Sequence, residues 1–210
     1  MSGTRERIIL EALRLFAVKG YDGVSVRDIA GAVGVKESSL YKHFAGKQAI
    51  FEGIIGEFPK RYEQMTGELG IGQTDPAQLA LHYAAMPEEA LLTLGERLFL
   101  FFSQDEFAAL VRRMLTMAQY SHPLAREVYR RLYLEGAIEF QTELFRHMIG
   151  LGVFIEADPG SMAAQFYAPI WLLLGWSDLQ TGGGEQALEA LRSHIRQFSA
   201  VYAKGKGALG

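Results

Sequence analysis

The sequence predicts an all-α fold, a small N-terminal helix-turn-helix unit followed by a larger helical body. Three observations predict it. Apolar residues recur at helical spacing along nearly the whole chain, and long β-branched alternation is missing. Glycines and prolines stand where helices begin and end. The 210 residues, 49% hydrophobic and 21% charged, are enough to bury a core well beyond that of one three-helix unit.

The first helix opens at Thr4, a candidate N-cap, places Ile9, Ala12, Leu13 and Phe16 on one face, and ends at Gly20. Tyr21-Asp-Gly23 is a turn. Ser25-Val-Arg-Asp28 has the capping-box form, and Val26, Ile29, Ala30 and Val33 line the short helix it starts. Gly34 interrupts, and a second short helix carries Leu40 and Phe44 one turn apart. After Ala45-Gly46, Lys47 opens a longer helix through Ile50, Phe51, Ile54, Ile55, Phe58 and Tyr62, which Pro59 should kink or break. Residues 67–76, with Gly67, Gly70, Gly72, Thr74 and Asp75, form the clearest linker.

Four helices follow over 76–86, 87–102, 105–120 and 123–151, with Pro76, Pro87 and Pro123 in first turns, where a missing N–H costs nothing. A connection over 152–160, holding a few extended residues at Val153-Phe-Ile155, leads to two last helices over 160–180 and 185–202. Thr181-Gly-Gly-Gly184 separates these two, and the tail from Lys204 reads as frayed. The count is nine or ten helices and essentially no sheet.

Several function classes are excluded on chemistry. Cysteine is absent, which removes disulfides, thiolate metal sites and cysteine nucleophiles. Neither H-E-x-x-H nor G-x-S-x-G occurs, and Glu143 and His147 share a helix face without further ligands. The chain is expected to be no enzyme and to hold no metal or cofactor. Gly205-Lys-Gly-Ala-Leu-Gly210 spells a dinucleotide fingerprint, but no strand precedes it and no helix can follow. No secretory signal is read at the charged N-terminus. The nineteen uncharged residues between Asp158 and Asp178 approach a membrane span in length, yet Ser161, Gln165 and Pro169 dilute them. A helix apolar on all sides is equally one buried on two faces. The expectation is a soluble, cytoplasmic chain with no membrane partner.

The net charge of −3 argues against a surface coated all over with nucleic acid. Divided along the chain it reads differently: residues 1–52 carry +2 and residues 53–210 carry −5.

A helix-turn-helix needs a small residue where its helices touch, a tight turn, and a polar outward face on the second helix. Ala30, Gly34, Val35, Leu40 and Phe44 fill the inward roles. With Leu40 directed inward, Ser38 and Lys42 point most nearly away, flanked by Ser39 and Tyr41. Taken alone, two short helices with a Gly turn fit an ordinary αα-corner equally well. The flanking features decide. Thr4-Arg-Glu-Arg-Ile-Ile-Leu-Glu-Ala-Leu-Arg-Leu-Phe-Ala17, Gly20-Tyr-Asp-Gly-Val-Ser-Val-Arg-Asp-Ile-Ala30, Gly34-Val-Lys-Glu-Ser-Ser-Leu-Tyr-Lys-His-Phe44 and Gly46-Lys-Gln-Ala-Ile-Phe51 resemble the tetracycline-repressor (TetR) family, without a gap from about Thr4 to Phe51.

The resemblance implies a homodimeric, ligand-responsive transcriptional repressor of a palindromic operator. Its DNA-binding domain would span 1–50 (motif about 25–44), and its ligand-binding and dimerisation domain 51–210. The recognition helix would run over about 36–44. Ser25, Tyr41 and His43 would meet phosphates, and Lys36, Ser38, Ser39 and Lys42 base edges. Arg27 joins the DNA-binding set, and Lys47 would hold a phosphate beside free backbone N–H groups. Two positions depart from the family: Gly46 supplies no side-chain cap, and Glu37 brings an acid near the DNA. Glu37 could accept from cytosine N4, but pairing with a neighbouring Lys is favoured.

In the body, Tyr62, Met65, Tyr83, Phe99, Phe102, Phe107, Met114, Met117, Tyr120, Tyr133 and Phe140 are candidate lining for a hydrophobic or aromatic effector, although such residues serve more often as core. Glu96, Glu135, Glu139 and His147 are read as solvated. On the last two helices Phe166, Ile170, Trp171, Leu174, Leu188, Leu191, Ile195 and Phe198 are candidates for a two-fold four-helix interface. A small-molecule carrier that has lost DNA binding is the rival function, separated by salt-dependent binding to duplex DNA.

Overall fold

The computed structural model describes residues 3–72, 75–179 and 184–204; part of the expected linker, residues 180–183 between the last two helices, and the tail 205–210 lie outside the described residues. The described residues form eleven α-helices and one π-turn. In order they are α1 (Thr4–Lys19), α2 (Val26–Val33), α3 (Glu37–Leu40), α4 (Lys47–Glu68), α5 (Pro76–Ala85) and α6 (Glu88–Gln104). Then come α7 (Glu106–Ala118), α8 (Pro123–Tyr129), the π-turn Arg130–Leu134, α9 (Glu135–Gly150), α10 (Pro159–Ser177) and α11 (Glu185–Tyr202). The one β pairing among the described residues is a bridge of Phe154 with Ala203, within the stretch expected to be extended.

The fold class is as the sequence predicts, with local differences, the first being that Gly3 rather than Thr4 stands at the N-cap of α1. Pro59 does not interrupt α4, in which it stands exposed. The single helix expected over 123–151 is split by the π-turn. A Cβ on Gly136 would lie 2.1 Å from the Arg131 carbonyl oxygen, so only glycine fits against that wide turn.

The chain divides into two compact units, Met1–Met65 with Asp105–Tyr129, and Thr66–Gln104 with Arg130–Gly210. In the first, Ile8, Leu13 and Phe16 of α1, Ile29 of α2, Leu40 of α3, Ile50, Phe51 and Ile54 of α4 and Met114 of α7 are all fully buried. Helix α7 packs on α1, and Glu106 takes two bonds from the Arg14 guanidinium, at 2.8 and 2.6 Å. Helices α7 and α8, placed by sequence in the body, therefore pack with the N-terminal helices.

In the second unit Leu79 and Ala80, Leu94, Leu144, Phe145 and Met148, Met162 and Ala163, and Phe198 form one core cluster. Phe99, Leu173, Leu174, Ala187 and Leu191 form another. Helix α10 packs against α6, α9 and α11, which explains its apolar character on more than one side. No helix among the described residues is long and apolar enough to cross a membrane. Glu96, expected in solvent, is instead clasped by Arg192 at 2.6 and 3.2 Å. Glu135 pairs with Arg130 but stands exposed, as expected.

Candidate nucleic-acid interface

Helix α2 starts on a full capping box. The Ser25 N–H donates to Asp28 Oδ2 (2.8 Å), the Ser25 hydroxyl donates to the same oxygen (2.6 Å), and the Asp28 N–H donates to Ser25 Oγ (3.1 Å). These bonds hold the Asp28 carboxyl below the ordinary aspartate range, the Ser25 side chain contributing most and its backbone next. The hydroxyl that the resemblance directs to a DNA phosphate is thus already engaged as a cap.

The turn closes as its glycine requires. Gly34 adopts φ +77° and ψ +34°, and the Val35 N–H donates back to the Ala30 carbonyl at 3.0 Å. Helix α3 is short. Its carbonyls at Lys36 and Leu40 accept from Ser39, Leu40, His43 and Phe44, so helical turns continue to Phe44 although the regular helix ends at Leu40.

That geometry separates the two faces. Leu40 and Phe44 are buried, whereas Lys36, Ser38, Tyr41, Lys42 and His43 are exposed and Ser39 is half-buried. Arg27 is exposed on α2. Phe44 rests on α4 at Gly53, where a Cβ would come within 2.9 Å of its ring. Glu37 makes no ion pair among the described residues; the favoured pairing with a Lys does not form. It lies in the first turn of α3, where an acid suits the free N–H groups.

Lys47, expected on a phosphate, lies half-buried over Tyr21. Its Nζ donates to the Tyr21 carbonyl at 2.9 Å and stands 4.2 Å from the ring centroid. Asp22 to Val26, Asp28 and Lys47 line an open groove beside it.

Sequence reasoning missed the residues that hold this face in place. Arg7 Nη2 donates to the Val33 carbonyl at the end of α2 at 2.6 Å. Arg5 lies 5.1 Å from the Phe44 ring centroid and 3.5 Å from Glu57. Gln48 bonds to Tyr21 and to His122. Partners so far apart in sequence leave no local pattern to read.

The candidate effector residues divide between the units: Tyr62, Met65, Phe107, Met114, Met117 and Tyr120 in the first, Tyr83, Phe99, Phe102, Tyr133 and Phe140 in the second. Phe107 and Met114 are core, while Met117 and Tyr120 are 47% and 82% exposed. In the second unit the Tyr133 ring meets Phe102 at 6.2 Å and Trp171 at 5.5 Å, and the Tyr167 hydroxyl donates to the Tyr133 carbonyl at 3.0 Å. Of the candidate interface residues, Leu174, Leu191 and Phe198 are buried in the chain's own core and Trp171 packs on Tyr133. Phe166, Ile170, Leu188 and Ile195 are half-buried against the same cores.

Residues 8–54 match the family model for bacterial regulatory proteins of the tetR family. The icaADBC biofilm-operon negative transcriptional regulator IcaR of Staphylococcus aureus is 48% identical over 51 residues, which is 24% of this chain and 27% of IcaR. The chain thus matches only about a quarter of that relative's length. Two solved structures match over nearly all of both chains. A putative transcriptional regulator from Saccharomonospora viridis in complex with choline has a TM-score of 0.68 and 22% identity, covering 95% of this chain and 97% of its own. SmeT of Stenotrophomonas maltophilia, in complex with triclosan, has a TM-score of 0.65 and 19% identity, covering 98% and 94%. At such identities these likenesses concern the fold. With its helix-turn-helix built as described, the N-terminal segment 8–54 is similar to the domain shared by bacterial regulatory proteins of the tetR family.

Proposed function

We propose that this chain is a repressor that binds a palindromic operator as a homodimer and leaves it when a hydrophobic or aromatic small molecule binds its helical body. It acts in the cytoplasm, and its reader is α3 with the first turn of α4. The observation that carries the reading is the division of the α3 segment: Leu40 and Phe44 are locked in the core while Lys36, Ser38, Tyr41, Lys42 and His43 stand outward. Such a rigidly backed polar face is what a recognition helix brings to base edges and phosphates. Lys42 and Ser38 read bases, and Lys47, held over Tyr21 beside the groove, meets a phosphate.

Dimerisation is supported by what α10 and the turn after it leave uncovered. Leu172 and Leu179 are 71% and 83% exposed, and Trp176 is 41% exposed. A partner's matching helices would bury this stripe and set the two recognition helices about 34–36 Å apart. The effector class follows from the methionine and aromatic side chains named above. The regulators compared were solved with triclosan and with choline, so a cation is the alternative that a ligand screen should include. Helix α4 carries both Lys47 and Tyr62, which makes it the natural lever between effector and DNA.

The test is selection of duplex DNA from a randomised pool, followed by titration against salt. An enriched, inverted-repeat sequence and a log K that falls steeply with log salt are expected. A protein that enriches nothing and binds no duplex at low salt is instead the rival small-molecule carrier.

A further inference from the structure

We propose that His122 is a positioning residue for DNA binding: from the turn before α8 it fixes Gln48 and Tyr21, and through them Lys47 at the DNA-facing end of α4. This rests on the DNA-binding reading above, but the residue lies far outside the segment matched by the family model. The orientation of each group follows from its neighbours. Gln48 Nε2 lies 3.0 Å from the Glu52 carboxylate, which only accepts, so the Gln48 amide turns its oxygen the other way. That oxygen accepts from the Tyr21 hydroxyl at 3.1 Å and meets His122 Nε2 at 2.9 Å. A carbonyl oxygen donates nothing, so His122 carries its proton on Nε2. Nδ1 keeps its lone pair and accepts from the Ala125 N–H, a free donor at the start of α8, at 3.3 Å.

Both imidazole nitrogens are therefore in use, one capping α8 and the other holding α4. The ring also packs edge-on against Tyr21, at 4.7 Å between centroids, and tilted against Phe51 at 4.5 Å. Burial, with Asp22 and Glu52 adding, pushes the Tyr21 phenol up and keeps it a donor to Gln48. Lys47 in turn lies over the same Tyr21 ring. One side chain thus ties the turn before α8 to the first turn of α4.

Substitution separates the two nitrogens, because an asparagine amide reaches the Nδ1 position and a glutamine amide the Nε2 position. His122→Asn keeps the α8 cap and loses Gln48; His122→Gln does the reverse. The probe is a duplex of about 30 base pairs, room for two half-sites, selected by the wild-type protein from a randomised pool. Fluorescence anisotropy reads affinity and urea unfolding reads stability. His122→Asn should bind roughly three- to tenfold more weakly with stability largely kept, and His122→Gln within about twofold of wild type with stability reduced. Equal loss of affinity in both variants, or wild-type affinity in His122→Asn, overturns the proposal. If His122→Asn does not fold, Gln48→Ala reads the same bond from the other side; a similar loss supports the proposal and unchanged affinity overturns it. Should the wild-type protein enrich no duplex at all, the DNA-binding reading fails and takes this role with it. If it binds and the variants match it, only the positioning role fails.

Discussion

Lys47 and Tyr21 form a cation–π pair closed by a hydrogen bond: the ammonium stands 4.2 Å from the ring centroid and donates to the same residue's carbonyl at 2.9 Å. Lys47 is thus tethered to the turn that leads into α2, and the charge is held near the groove at that helix's start.

Replacing it tests whether that charge serves DNA. Lys47→Ala should weaken binding by a similar factor on every sequence and lower the magnitude of the salt slope by about one per protomer. Lys42→Ala, on the exposed side of the turn that continues α3, should instead relax preference at particular base pairs, costing about 1–3 kcal/mol at the preferred base. Titrations of a panel of operator variants distinguish the two, and identical losses across the panel for Lys42→Ala would overturn its base-reading role.

The capping box makes a prediction about acid. The folded Asp28 carboxyl titrates below its ordinary value because Ser25 donates to its charged form. Its stabilising effect is therefore fully present above the ordinary aspartate value and is lost as pH falls through the folded value. The stability gap between wild type and Asp28→Asn should close over that acid window. In Ser25→Ala the Asp28 carboxyl, followed by NMR, should titrate nearer to an ordinary aspartate. An unchanged titration would mean that the hydroxyl bond does not persist in solution.

The turn and the core beneath it should fail by different amounts. Gly34→Ala forces a Cβ into φ +77° and should cost about 1–2 kcal/mol in urea unfolding. Leu40→Ala empties a fully buried site and should cost about 2–5 kcal/mol. A loss for Leu40→Ala no larger than a surface substitution would contradict its burial.

What was legible in the sequence had short reach. Ser25 and Asp28 stand three residues apart, Gly34 marks its own turn, and the spacing of Leu40 and Phe44 separates inward from outward on α3 and the turn that continues it. Each is a local pattern with one physical solution. The tether of Arg7 to Val33 and the meeting of Gln48 with His122 depend on how helices pack, so no spacing announces them. The π-turn is similar, since the periodicity of 123–151 continues through it and only Gly136 hints at close backbone approach. Helix α10 was ambiguous for a different reason. Both of its sides are apolar, so periodicity alone cannot tell which side meets the chain's own core.

That ambiguity supplies a paired test of the dimer. Leu174 is 3% exposed and Leu172, two residues earlier on the same helix, is 71% exposed. A charge at Leu174 must be buried without a partner, so Leu174→Glu should unfold the second unit or destabilise it by several kcal/mol. A charge at Leu172 is free to stand in water in the monomer and would be buried only in the proposed dimer. Leu172→Glu should therefore leave helicity and monomer unfolding nearly unchanged while sedimentation shifts from dimer to monomer, and Leu179→Glu should behave alike. Because an operator with two half-sites needs both recognition helices on one particle, the same variants should lose affinity for the full inverted repeat far more than for a single half-site. A Leu172→Glu protein that still sediments as a dimer would move the interface off this stripe, whatever its effect on DNA.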